Sequence, residues 1–126
     1  MKPLGIAVIM GEDLEETLGW AKDSGFHNCQ LQLWDMSHLC REHAGYVKDL
    51  LEKLDMEGPS ILGIVPPEYR ASRIKNLLDG AAYARILGVK DIITHLGFVP
   101  TNCRDVNYTG VVSALRYITS ELKKHG

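Results

Sequence analysis

The sequence predicts an α/β fold with a parallel sheet, and two observations support this. Short apolar runs alternate with stretches whose apolar residues recur at helical spacing, so strand and helix alternate four times in 126 residues. In addition, AKDSGF at 21–26, before the second strand, is echoed by ARILGV at 84–89, before the fourth. Such alternation implies parallel strands joined by right-handed crossovers. We expect a single domain over residues 1–126, long enough to bury an independent core.

The first unit and the second strand are the clearest elements. The apolar run Leu4–Met10 predicts a strand that stops at a turn. Asp13 is the expected cap of the helix that follows, and Gly25 is its expected exit. Cys29–Trp34 predicts the second strand, in which leucines alternate with glutamines. This strand therefore has one apolar face and one face that carries amides.

The middle of the chain leaves two interpretations of the third strand. The second helix is expected to start at Asp35 or Ser37 and to end at Gly58-Pro59. Either Ile61–Val65 is the third strand, or a segment near residues 56–60 is missing. We favour the missing segment, because GIVPPEY resembles the approach to a helix more than a barrel strand.

The last two units repeat the pattern. Glu68 opens a long helix after Pro66-Pro67, and Asp91–His95 predicts the fourth strand. The third helix is expected to bury Ile74, Leu77, Leu78, Ala81 and Ala82. The last helix is expected to bury Val111, Ala114, Leu115, Ile118 and Leu122.

Candidate ligand-binding residues follow from the parallel sheet, because such folds bind ligands at the carboxyl ends of their strands. His95 ends the fourth strand, and Gly97 allows close backbone approach beside it. The alternative for His95 is a cap of the strand end. Gln32 could hydrogen-bond a polyol and Trp34 could stack on a sugar face, although both could equally pack beneath the first loops.

Two other groups of residues have more ordinary interpretations. His38, Cys40 and His43 look like a ligand cluster, but on one helix His38 and His43 would diverge by about 140°. We therefore expect a solvated helix surface there. Cys103 has no base adjacent in sequence, so an ordinary thiol is expected.

Composition excludes several classes of protein. The net charge is −2 and there is no basic stripe, so a nucleic-acid partner is not expected. No apolar run is long enough to span a membrane. The three cysteines form no CxxC pair, which favours a reducing compartment and thus the cytoplasm. Dinucleotide, P-loop and nucleophile-elbow motifs are absent from the sequence.

The repeated helix exits and His95 carry a resemblance to a known family. AKDSGF leading to CQLQL, and AAYARILGV leading to IITHLG, resemble the xylose-isomerase-like (β/α)8 barrel superfamily, specifically its sugar phosphate isomerase/epimerase branch. A complete barrel of this type needs about 250 residues. The resemblance therefore implies an α/β half barrel with about four β/α units, the N-terminal half of a (β/α)8 TIM barrel.

The resemblance also implies a function for the complete barrel. Family members hold a divalent metal (Mn, Mg, Zn or Co) at the barrel mouth and move a proton next to a carbonyl, with a small sugar or sugar phosphate as substrate. His95 is implied to lie near the metal as a ligand, and Gln32 stands where many members carry a glutamate. The main metal ligands of the branch come from later strands, so this chain carries no identified catalytic residue.

Two alternatives remain open. One is a non-catalytic half barrel that forms a homodimer through its open sheet edges, because unpaired edges invite pairing. The other is a relative of abasic-site endonucleases, which the net charge of −2 disfavours.

Overall fold

The chain alternates strands and helices as the sequence predicts. The computed structural model describes residues 4–33, 35–63, 70–94 and 101–124. The elements are β1 (Gly5–Ile9), α1 (Leu14–Asp23), β2 (Asn28–Leu33), a short 3-10 helix (Met36–His38), α2 (Arg41–Leu54), β3 (Glu57–Gly63), α3 (Arg70–Leu87), β4 (Asp91–Thr94) and α4 (Val106–Lys124).

The four strands form one parallel sheet in the order β1-β2-β3-β4. Each strand therefore lies beside the strand that precedes it in sequence, which is also the strand order in the wall of a (β/α)8 barrel. In this arrangement β1 and β4 are the edges, and each has one strand neighbour among the described residues.

The two faces of the sheet are different. Alternate strand residues such as Val8, Cys29 and Leu31 are at most 2% exposed and share one apolar core with residues of α1, α2 and α3. We call this side of the sheet the covered face. The intervening residues, such as Ala7 and Ile9, lie on what we call the open face, where no described element packs on the strands and both side chains are exposed.

The third strand corrects the sequence interpretation. Residues 57–63 pair in parallel with β2 and with β4, so the hypothesis that Ile61 does not belong to a strand is wrong. A register shift between Asn28 and Gln30 marks a bulge, and a bulge tolerates Pro59, which has no backbone N–H to donate. The strand interpretation is thus confirmed for residues 61–63, whereas residues 64 and 65 of the predicted strand lie outside the described residues. The missing segment near 56–60 stays a prediction.

Gly58 belongs to this strand and does not terminate α2. A Cβ at Gly58 would lie 3.1 Å from Cδ1 of Leu51 and 3.4 Å from Cδ1 of Leu31. Glycine therefore lets β3 approach the core closely.

Three helices end in the same way. At the ends of α1 and α3, Gly25 and Gly88 have φ of 90° and 73°. Asp55 has the corresponding left-handed φ of 51° at the end of α2. In each case this residue donates its N–H to the carbonyl three residues back, and the next residue donates to the carbonyl five residues back. The echo in the sequence is thus a repeated hydrogen-bonded helix exit.

The helices differ in part from the expected boundaries and stripes. α2 begins at Arg41 and not at Asp35 or Ser37. Ser37 belongs to a separate 3-10 helix, which Asp35 caps by accepting a hydrogen bond from the N–H of Ser37. On α3 the buried residues are Tyr83 and Ala84, outside the expected stripe, and on α4 only Ile118 is buried in the described part of the chain. Across the described ranges, no helix combines the length and hydropathy needed to span a bilayer.

Candidate functional site

The open face presents two rows of residues that run across all four strands. Strand register places Ala7, Gln30, Ser60 and Asp91 in one row. Closer to the carboxyl ends, it places Ile9, Gln32, Leu62 and Ile93 in the second row. In a complete barrel these rows would line the interior beneath the mouth.

The amides of β2 lie in the middle of these rows. Gln30 and Gln32 are half-buried, and Nε2 of Gln30 donates to Oγ of Ser60 at 3.5 Å. The N–H of Met10 donates to the carbonyl of Gln32 at 2.9 Å, which holds the chain after β1 against β2. The predicted separation of apolar and amide faces is confirmed, and it leaves Gln32 at the end of the sheet where a ligand is expected.

The other predicted site residues are not described by the structure. His95, Trp34 and Gly97 lie outside the described residues. Their expected contacts with a sugar, and the metal-ligand role implied for His95, therefore stay predictions.

A second polar group lies beside the covered face. We call Asp35, His38, His43 and Tyr83 the polar cluster. The rings of His38 and His43 stack with centroids 4.3 Å apart and planes 3° apart. Nδ1 of His43 lies 2.6 Å from the hydroxyl of Tyr83. The same hydroxyl donates to Sδ of Met10 at 3.7 Å. The cluster thus joins the β2-α2 connection, α3 and the end of β1.

This arrangement corrects the expectation of a solvated helix surface. His38 belongs to the 3-10 helix and His43 to α2, so one regular helix does not carry both residues. The change in chain direction at Leu39 and Cys40 brings the two rings together although they are five positions apart. Both histidines are half-buried.

The electrostatics of the polar cluster favour a neutral His43. Burial lowers the pKa of His43 first, a positive His38 lowers it further, and the Asp35 carboxylate opposes both. Oγ and N–H of Ser37 donate to Asp35 at 2.6 and 2.9 Å, and these bonds lower the pKa of the Asp35 carboxyl. Burial raises the pKa of Tyr83, so its hydroxyl stays protonated and can act as a donor.

The described residues do not provide a site for a resident metal. Within residues 4–33, 35–63, 70–94 and 101–124, no three His, Cys, Asp or Glu side chains come together as a possible ligand group. His38 and Asp35 approach to 4.0 Å, and Nδ1 of His43 lies against the hydroxyl of Tyr83. A divalent metal normally needs a larger set of convergent oxygen or nitrogen ligands.

The sequence indicated some of these residues and missed others. The alternation with period two identified Gln30 together with Gln32. Tyr83 was missed because α3 carries partly buried apolar residues around much of its surface. The stacking of His38 on His43 was missed because the spacing argument assumed a continuous helix.

Comparison with solved structures identifies the fold. The chain superposes on a xylose isomerase domain protein from Planctomyces limnophilus with a TM-score of 0.83 at 20% sequence identity. The match covers 98% of this chain and 50% of that chain. The architecture is therefore that of a xylose-isomerase-like half barrel.

Sequence comparisons add no further family. No family model matches the chain. No curated protein matches it either. This chain spans half the length of the solved chain that it matches.

Proposed function

We propose that this chain is the N-terminal half of a sugar or sugar phosphate isomerase or epimerase that works as a complete (β/α)8 barrel. The observation that carries the proposal is the superposition of 98% of the chain on half of a xylose isomerase domain protein. The amides of β2 on the open face support it, because neutral hydrogen-bonding groups inside a barrel suit a polyol. The net charge of −2 supports a small polar ligand over a nucleic acid.

In this proposal the half barrel binds and orients the substrate. Gln32 and Trp34 contact the sugar, Gly97 leaves space for it, and His95 lies near the substrate and the metal, to which it contributes a ligand. A divalent metal (Mn, Mg, Zn or Co) would polarise the carbonyl in the complete barrel. By the family resemblance, the ligands that hold it come mainly from later strands of the barrel, and no group of three possible ligands comes together within the described part of this chain. The chain alone is then inactive or nearly so.

The proposed compartment is the cytoplasm. Cys29, Cys40 and Cys103 are all free thiols. Burial raises the pKa of Cys29 to about 11, so that thiol is unreactive. Free thiols support a reducing environment.

Sugar binding tests the proposal without requiring turnover. We would titrate the isotope-labelled chain with pentoses, hexoses and their phosphates and follow side-chain amide resonances by NMR. We expect the Gln32 amide to shift and Gln32→Leu to weaken binding about two- to tenfold, the value of a single hydrogen bond. Asn107 on α4 is the matched amide control, and its resonance should not move.

Two results would contradict the proposal. One is a titration in which no sugar shifts Gln32 while Asn107 or the polar cluster responds. The other is metal-dependent ketose isomerisation by the purified chain, which would disprove the claim that it is incomplete.

A second candidate function is a half barrel that is not catalytic and serves as an assembly unit. The specific observation in its favour is the exposure of Ile9 and Ile93, 58% and 42%, on the open face of the two edge strands. Loss of sugar binding together with retained self-association would favour this candidate. A relation to abasic-site endonucleases has no supporting observation beyond the shared barrel class.

A further inference from the structure

The exposed apolar side chains are concentrated at the two ends of the half barrel. In the described ranges, seven large hydrophobic residues are exposed. Six of them lie on or beside the outermost elements: Leu4, Ile9, Trp20, Ile93, Val106 and Tyr117. Tyr46 is the exception, on α2. Among the side chains that the structure describes, the two ends therefore present more exposed apolar residues than the interior units, and exposed apolar surface is typical of a contact surface.

Trp20 lies on the flank of α1 that has no helix neighbour. Glu15 and Lys22 of α1 form ion pairs with Lys53 of α2 and Asp55 just after it, so they mark the side of α1 that faces α2. At about 100° per residue, Trp20 lies roughly 150° around the helix from that side. It is 59% exposed. In a closed barrel the preceding helix would cover this flank.

This inference rests on the second candidate function, the half barrel that is not catalytic. We infer that a second copy of this chain covers these ends, so that two half barrels close into one eight-stranded barrel around a two-fold axis. With the axis along the barrel, β4 of each copy pairs in parallel with β1 of the other copy. α4 of each copy then packs beside α1 of the other. Each contact joins the β4-α4 end of one copy to the β1-α1 end of the other, so the two surfaces differ. The assembly is nevertheless complete with two copies, because each copy supplies four of the eight strands. The barrel mouth, and any ligand site in it, is incomplete without the second copy.

The register of the sheet fixes how the two copies meet. Around a complete barrel of this class the register shifts by about eight residues, so each copy must supply about four. The row that starts at Ile9 reaches Ile93 on β4. Where this row continues from Ile93 onto β1 of the second copy, it must therefore be displaced by about four residues from Ile9. Within β1, that displacement leads to Gly5, so Ile93 lies opposite Gly5 of the second copy.

The faces of the strands agree with this pairing. Gly5 has the same alternation as Ala7 and Ile9, and Ile93 lies on the side of β4 opposite to Ile92, which packs on the core. Both residues therefore face the barrel interior, and no side chain has to change sides. A register shift by an odd number of residues would have turned the apolar side chains of one strand face toward solvent.

Mass measurement of the full 126-residue chain is the first test. We expect light scattering to give twice the chain mass of 14.0 kDa. Ile93→Arg and Trp20→Lys should each weaken the dimer by at least about tenfold, because a charge would be buried without a partner. Tyr46→Lys is the matched control, an exposed aromatic away from both ends, and should leave the mass at twice that of the chain.

A disulfide between copies tests the register. In a Cys40→Ser, Cys103→Ser background, Gly5→Cys with Ile93→Cys should give a covalent dimer on mild oxidation, since direct neighbours on one face lie about 5 Å apart. A Cβ at Gly5 meets no atom closer than 3.4 Å, so the cysteine fits. The control pair Ala7→Cys with Ile93→Cys is out of register by two residues and should crosslink far more slowly.

Several outcomes would overturn the inference. A monomer at high concentration would refute closure of the barrel by a second copy. A dimer that survives Ile93→Arg and Trp20→Lys, or that Tyr46→Lys breaks, would place the contact elsewhere. Faster crosslinking through Ala7→Cys would refute the closure. None of these measurements involves a sugar, so a dimer that binds no sugar contradicts only the proposed function.

Discussion

The two faces of the sheet have the same backbone and opposite surroundings. On the covered face, Leu18 of α1 and Leu31 of β2 are fully buried and no buried polar or charged residue is found among the described residues. On the open face, Gln30 and Gln32 are half-buried beside the exposed Ala7 and Ile9. The covered face therefore supplies the packing that stabilises the fold, whereas no described element packs on the open face.

Truncation on each face should give the clearest contrast. Leu31→Ala should lower the free energy of unfolding by about 2 to 5 kcal/mol, because it opens a cavity among side chains that relax only partly. Gln30→Ala, one residue away on the open face, should cost less than about 1 kcal/mol, since its bond to Ser60 is long. Urea unfolding measures both changes. Equal losses would mean that the two faces do not differ in packing.

Added volume on the covered face should have the next largest effect. Gly58→Ala places a Cβ 3.1 Å from Leu51 and should cost about 1 to 3 kcal/mol, the usual cost of overpacking. Gly45→Ala on α2 is the control, because its Cβ meets nothing within 4 Å and alanine favours helix. We expect opposite shifts in thermal midpoint. A stabilising Gly58→Ala would show that β3 is packed more loosely than the structure indicates.

Substitutions at the helix exits should change the free energy of unfolding less than substitutions on the covered face do. Asp55→Gly relieves a left-handed φ of 51° and should stabilise the chain by about 0.5 to 1 kcal/mol. The Asp55 side chain is 99% exposed, so its ion pair with Lys22 contributes little, and Lys22 keeps its 2.9 Å bond to the backbone carbonyl. The reciprocal change Gly88→Asp should be destabilising in the same unfolding assay. The same sign for both changes would contradict this explanation.

Acid should produce the smallest change, through the polar cluster at the border of the covered face. The pKa of His43 in the folded chain is lowered from 6.5, so the unfolded chain binds more protons below that pH. Its contribution is complete above about pH 6.5 and is lost as pH falls through the lowered folded value. Asp35, His38, Cys40, Tyr46 and Tyr83 are the titratable groups around it.

Thermal midpoints between pH 7.5 and 5 would measure this dependence, roughly spanning the His titration range. His43→Gln should flatten the curve, whereas the exposed His27→Gln should not. An unchanged slope in His43→Gln would assign the acid sensitivity to another group.

The sequence predicted the order of elements but not every place where distant residues meet. Its periodicities located β1, α1 and β2 to within about two residues, because one face of each is apolar. β3 was misjudged because Gly58 and Pro59 look like breakers, whereas in the sheet they occupy a close approach and a bulge. The contact of His43 with Tyr83 joins residues 40 positions apart, and local spacing carries no information about such a pair.

The candidate site was predictable only where it depends on alternation. Gln32 was placed on the correct face because side chains of a strand alternate. The stacking of His38 on His43 depends on a change of direction at Leu39, and no periodic pattern indicates such a change.

The repeated helix exit at Gly25, Asp55 and Gly88 has a consequence for how such a chain can change in evolution. Every described junction from helix to strand uses one backbone geometry, at intervals of about thirty residues, the size of one β-α unit. Recombination at these positions can duplicate, delete or exchange a unit without a new loop conformation. Half barrels and whole barrels then differ in the number of β-α units, and that number can change while the structure of each unit stays the same.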